Sequence, residues 1–217
     1  MPSSPQTQYL EPITRENAAV LFIDNQNNLL LGVQSIETTL LRLNTEGLAK
    51  LAKLYELPVV LTTTGGGAEG GWGPLLKPIT DTFPDTPIFN RAHLNAMDDP
   101  GFADAVRATG RRKIILCGIA TDFCLHFPAL SLMREGYHVH IAVDASGCWT
   151  KQNEDVALLR LVQAGATPTN VQQILGELHS TDLAADLKAG QATAPEVGKW
   201  FARYGGTTSI VTMGMFG

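Results

Sequence analysis

Three places in the chain set reactive side chains at the ends of apolar runs. Asp24 closes the run AAVLFID at 18–24, Arg91 follows Ile88, Phe89 and Asn90, and Cys124 ends the segment GIATDFC at 118–124. Together, a carboxylate, a guanidinium and a thiol are the parts of a nucleophilic centre: a proton acceptor, a fixed cation, and a sulfur that attacks once deprotonated. Each has an ordinary role when taken alone. Asp24 reads as a turn or cap carboxylate, Arg91 as a surface or ion-paired residue, and Cys124 as packing. Position is what joins them. Each falls at the C-terminal end of a different strand expected in one sheet, the edge at which parallel sheets gather ligands.

The elements that must carry these residues follow from the apolar pattern. Runs at 18–24, 58–64, 86–89, 113–118 and 138–144 read as strands, and a sixth is expected over 169–175. Strands of this near-continuous apolar type are buried on both faces of a parallel sheet. Helices are expected over 36–55, weakened at Gly47, and over 101–109, 122–135 and 153–164, the last three stopped by Gly110, Gly136 and Gly165. The alternation predicts a three-layer α/β/α domain on a mainly parallel six-stranded sheet with right-handed crossovers. A helix over 122–135 would place Cys124 in its first turn, capped by Thr121 or Asp122. The helix dipole and free N–H groups there would favour a thiolate and receive an oxyanion. The 217 residues read as one domain with its core over about 15–180. The first dozen residues read as an extended arm. The extension over 181–217, apolar at its end, is expected to pack on the domain or at an oligomer interface.

Composition narrows the partners to a small-molecule substrate and further copies of the chain. A net charge of −5, from 16 basic and 21 acidic residues, argues against nucleic acid and against an anionic membrane surface. No run approaches the ~18 apolar residues of a membrane span, and the first residues lack the basic and apolar regions of a secretory signal. Three cysteines without a CxxC argue against a disulfide framework and for the reducing cytoplasm. Only 17% of residues are charged, which points to surface covered by another subunit. GGGAEG at 65–70 matches GxGxxG, but Trp72, Gly73 and Pro74 deny the helix that a dinucleotide fingerprint needs, so a nucleotide-binding oxidoreductase is set aside. The loop reads instead as an active-site loop with Trp72 as a wall. His138 and His140 share one side of a strand with no carboxylate near in sequence, and read as core or interface histidines. Cys117, in mid-strand, reads as packing, and Trp149 is expected to line the pocket.

Asp24 with Gln26 after the first strand, a basic residue after the third, and GIATDFC after the fourth resemble the isochorismatase-like cysteine hydrolases. That superfamily includes nicotinamidases, N-carbamoylsarcosine amidase, streptothricin hydrolase and isochorismatase itself. The likeness runs from about Ala18 to His179. Phe127 to Leu130, Asp144 to Gly147 and Gly176 to His179 look like the YcaC-like subgroup, whose members form ring-stacked octamers. The resemblance implies Cys124 as nucleophile and Asp24 as its base, with Arg91 where most of the family has lysine. It implies a cis peptide between Ile119 and Ala120 and an oxyanion hole from the N–H groups of Ala120 and Cys124; Gln26, Trp72 and Trp149 are the expected substrate contacts. Arg91 would favour the thiolate or clamp a substrate carboxylate. Thr62, Thr63 and Thr64 stand where nicotinamidases carry a metal-binding Asp-x-His pair, so neither a metal nor any cofactor is expected. The implied reaction is hydrolysis of a small amide, carbamoyl or related C–N substrate through a thioester. The alternative is a catalytically silent oligomeric or redox-responsive protein that keeps the fold.

Overall fold

The computed structural model describes residues 10–189 and 194–205, with backbone alone for 182–189 and 194. Six strands pair in parallel: β1 (Ala18–Ile23), β2 (Val59–Thr64), β3 (Ile88–Arg91), β4 (Lys113–Gly118), β5 (His138–Ala142) and β6 (Thr167–Thr169). Their order across the sheet is β3-β2-β1-β4-β5-β6. Chain order reverses between β1 and β4, so the loops leaving these two strands part to opposite sides and open a crevice at the carboxyl edge.

Eight helices flank the sheet among the described residues: α1 (Asn27–Leu30), α2 (Thr38–Leu54), α3 (Lys77–Thr82), α4 (Pro100–Ala108), α5 (His126–Arg134), α6 (Lys151–Gln163), α7 (Val171–Ala189) and α8 (Ala194–Tyr204). Alternate strand residues feed two cores. Ala18, Val20, Phe22, Ile115 and Cys117 pack with apolar residues of α2, α3, α7 and α8. Ala19, Leu21, Ile23, Ile114 and Leu116 pack with those of α4, α5 and α6. Every residue of β1 and β4 is buried, as the apolar runs require of central strands covered on both faces.

Two sequence expectations are corrected here. The sixth strand lies at 167–169, and most of 169–175 is the first turn of α7. Asn170 starts that helix: its Oδ1 accepts from Gln173 N at 2.8 Å and its carbonyl from Ile174 N. The Asp144 carboxylate, coming off β5, accepts from Val171 N at 3.0 Å. The second correction concerns α5, which begins at His126 rather than at 122. Pro128 has no N–H to close a turn on the Cys124 carbonyl, and Thr121 and Asp122 are bonded elsewhere, as described below.

The C-terminal region, as far as it is described, packs on its own domain. Val197 and Trp200 are buried in the α2 side of the core, and Trp200 Nε1 donates to the Gly47 carbonyl at 2.9 Å. A Cβ on Gly47 would sit 3.3 Å from both Trp200 and Tyr204. The glycine that weakens α2 in isolation is what lets α8 approach it. The N-terminal arm at 1–9 and the apolar end at 206–217 lie outside the described residues.

Candidate active site

Asp24 is the first residue past β1 and adopts φ +53°, a left-handed turn that an aspartate tolerates better than most side chains. Its side chain is wholly buried. Arg91, the last residue of β3, is buried as completely, and its Nη2 donates to Asp24 Oδ2 at 2.5 Å. The other guanidinium end, Nη1, donates to the His93 carbonyl at 2.5 Å. Arg91 is therefore committed to a buried ion pair and a backbone carbonyl. Its Nε donates to no acceptor among the described residues.

Cys124 lies in the turn at 121–125 that leaves β4, partly exposed and within hydrogen-bonding range of Asp24 and Arg91. Asp24 Oδ1 has no aligned hydrogen-bond partner among the described residues. One carboxylate oxygen is thus held by the guanidinium while the other is left for the thiol. Burial raises the Asp24 carboxyl to about 6, against the opposing pull of Arg91 and of the thiol hydrogen bond. Burial also pushes the Cys124 thiol up to about 12, and the charge of Asp24 and its hydrogen bond add to the rise, opposed by Arg91. The resting pair at neutral pH is thiol and carboxylate. The helix start expected to favour a thiolate is displaced: α5 begins two residues beyond Cys124, and burial and the charge of Asp24 raise the thiol.

Several ties fix the turn that carries Cys124. Thr121 N and Oγ1 both bond the Gly147 carbonyl, at 2.9 and 3.1 Å. Phe123 N and Leu125 N both donate to the Ala120 carbonyl. The Asp122 carboxylate accepts from Cys148 Sγ at 3.1 Å and from Asn153 Nδ2 at 3.0 Å. The peptide between Ile119 and Ala120 is cis. The N–H groups of Ala120 and Cys124 donate to no acceptor among the described residues.

Gln26 has a different place from the one expected of a substrate contact. Its Nε2 donates to the Gly73 carbonyl at 2.6 Å and to Thr64 O, and its Oε1 accepts from Thr64 N at 3.0 Å. Asn28 adds a bond to Gly71 O at 2.9 Å. These amides fasten the glycine-rich loop at 65–73 to the start of α1. Trp72 lies over Gly65, whose φ of +65° and missing Cβ make room for the indole, and is 46% exposed. Trp149 packs against Gly32 and the α2 side of the core. Sequence reasoning missed the His93 carbonyl and the link from Asp122 to Cys148 and Asn153, because neither partner has a distinctive residue type or spacing.

Among the described residues, no group of three or more histidine, cysteine or carboxylate side chains could hold a metal ion. No helix there is long and apolar enough to cross a membrane.

A carboxylate after β1 and a thiol after β4, facing each other across the crevice of a six-stranded parallel sheet, match a known family in sequence as well as in form. The Isochorismatase domain model covers residues 18–173, and the chain belongs to that family. It is 39% identical over 168 residues to the probable hydrolase YcaC of Escherichia coli, spanning 77% of this chain and 80% of that protein. The crystal structure of E. coli YcaC, an octameric hydrolase of unknown specificity, superposes with a TM-score of 0.84 at 33% identity, covering 94% of this chain and 96% of that one. YcaC from Pseudomonas aeruginosa, solved with hexane-2,5-diol and covalent acrylamide, gives 0.84 at 32% identity, covering 95% and 97%.

Proposed function

We propose that the chain is a cysteine hydrolase of small amide, carbamoyl or related C–N substrates, with Cys124 as nucleophile and Asp24 as general base. One observation carries the reading: a buried carboxylate with Oδ2 held by Arg91 and Oδ1 left unpartnered beside a partly exposed thiol. The sulfur attacks the carbonyl carbon as its proton passes to Asp24, and the Ala120 and Cys124 N–H groups receive the oxygen of the tetrahedral intermediate. The C–N bond breaks, and the amine leaves with the proton returned by Asp24. Water, deprotonated by Asp24, then cleaves the thioester, releasing the acid and restoring the thiol.

Family membership and the likeness to two YcaC proteins support a hydrolase. The covalent acrylamide in the P. aeruginosa protein supports a nucleophile able to engage a small amide-bearing electrophile. The octamer of E. coli YcaC supports a homo-oligomer here as well. Incubation with a panel of small amides, read as ammonia or amine release and as an acyl adduct by intact mass, tests the proposal. Turnover and adduct should vanish in Cys124→Ala and persist in Cys117→Ala. An adduct on Cys117 or Cys148 with Cys124 untouched overturns it.

A further inference from the structure

We infer that the substrate is an electrically neutral amide bearing an apolar group, and that the carboxyl edge of the sheet is built to turn carboxylate-bearing molecules away. The inference rests on the reading of Cys124 as nucleophile and adds the class of molecule brought to it.

The charge pattern around the crevice is one-sided. The segments that leave the six strands, at 24–37, 65–76, 92–99, 119–125, 143–150 and 170, contain no lysine or arginine. They do contain the carboxylates Asp24, Glu37, Glu69, Asp98, Asp99, Asp122 and Asp144. Arg91, at the end of β3, is wholly buried and is turned to Asp24 and to the His93 carbonyl. The next lysines toward this edge, Lys77 and Lys151, begin α3 and α6 and are paired within their own helices, with Asp81 and with Glu154 and Asp155. The stretches outside the described residues, 1–9, 190–193 and 206–217, contain no lysine or arginine either. Arg160, reaching up from α6, lines a cavity with Asp122 and His126 and is the one cation set against these carboxylates among the described residues lining it, so an anionic substrate would meet a field mainly of its own sign.

Exposed apolar side chains stand on the same segments. Trp72, Leu94 and Phe123 are 46%, 44% and 51% exposed, and they stand on the segments that follow β2, β3 and β4. The same strand ends carry Arg91 and the Cys124 turn. The Trp72 loop is fastened through Gln26 and Asn28 rather than left free. A substrate whose amide reaches Cys124 can lay an apolar substituent against this rim, which would otherwise stay wet.

Two pairs of thiol reagents test this on the wild-type protein at pH 8.5, with labelling followed residue by residue by mass spectrometry. In each reaction the Cys124 sulfur forms a bond to carbon, halide leaves, and the thiol proton goes to Asp24 or solvent. Iodoacetamide and iodoacetate differ in charge, and 2-chloroacetamide and N-benzyl-2-chloroacetamide differ in an apolar group. The rate ratio within each pair is referred to the same ratio on N-acetylcysteinamide. Cys124 should prefer iodoacetamide over iodoacetate by about tenfold more than the free thiol does, and should prefer the benzyl reagent. Glu69→Lys should bring the first ratio toward that of the free thiol, and Trp72→Ala the second. Ratios equal to those of the free thiol, or a preference for iodoacetate, overturn the inference while leaving the nucleophile in place. So does a Trp72→Ala variant that changes subunit assembly but not the benzyl ratio. Labelling that spares Cys124 with every reagent overturns the nucleophile itself.

Discussion

Replacing Asp24 by asparagine should move two properties of Cys124 in opposite directions. With its thiol at about 12, Cys124 is ionised in only about one molecule in 10⁵ at pH 7. Burial is the largest cause and survives the substitution, whereas the negative charge of Asp24 and its hydrogen bond do not. A like charge a few ångströms away typically shifts a group by about 1–3 pH units. The Arg91 guanidinium, no longer neutralised by Asp24, adds a pull in the same direction. The thiol of Asp24→Asn should therefore titrate at least about one unit lower. Its thiolate-dependent alkylation by iodoacetamide at pH 9 should rise about tenfold or more, while amide turnover falls by roughly 10²–10⁴ with loss of the general base. The assay is thiolate absorbance near 240 nm against pH, with the Cys124→Ala protein subtracted, run beside alkylation and ammonia release. A thiol that titrates at the same pH or higher in Asp24→Asn would refute the electrostatic account. Turnover that survives the substitution would refute the base.

Three further outcomes follow from the same side chains. Arg91→Met leaves Asp24 buried without its cation, so it should cost about 3–5 kcal/mol at pH 7 by urea unfolding; the loss should shrink on acidification as Asp24 takes up a proton above its present value of about 6. His140 is buried and held down to about 4, so wild-type stability should fall as pH drops from about 6.5 to 4, by roughly 3 kcal/mol from this residue, and His140→Leu should lose that slope in paired unfolding curves. Gln26→Ala removes the bonds to Thr64 and Gly73 and should cost about 1–3 kcal/mol, with faster hydrogen exchange confined to 65–73.

How much of this could be seen in the sequence depended on how local the cause was. Asp24, Arg91 and Cys124 were legible because each stands at or just past the end of an expected strand, and a parallel sheet brings such ends to one edge. The start of α7 was legible too, in Asn170 with Gln173 three residues on, but the apolar residues of 171–175 read as a strand. The late start of α5 was not. Asp122 would cap a helix if left to itself, and it is drawn off by Cys148 and Asn153, 26 and 31 residues away. Gln26 shows the same limit: its partners Thr64 and Gly73 are 38 and 47 residues distant, so the residue type promised an amide contact without saying to what.

The raised thiol bears on how such a site would work. A sulfur kept as a thiolate is open to any passing electrophile, whereas Cys124 rests protonated beside an ionised Asp24. Moving the proton across at rest is uphill, since the acceptor holds it less tightly than the donor. In the proposed reaction, charge that leaves the sulfur arrives on the carbonyl oxygen, where the Ala120 and Cys124 N–H groups stand ready. Proton transfer and attack are then favourable only together, and only for a molecule that places its carbonyl there. Arg91 sets this balance from behind, its charge and hydrogen bond lowering the Asp24 carboxyl against the rise that burial causes. In the site inferred above, discrimination among substrates falls to the apolar rim and the carboxylates around it.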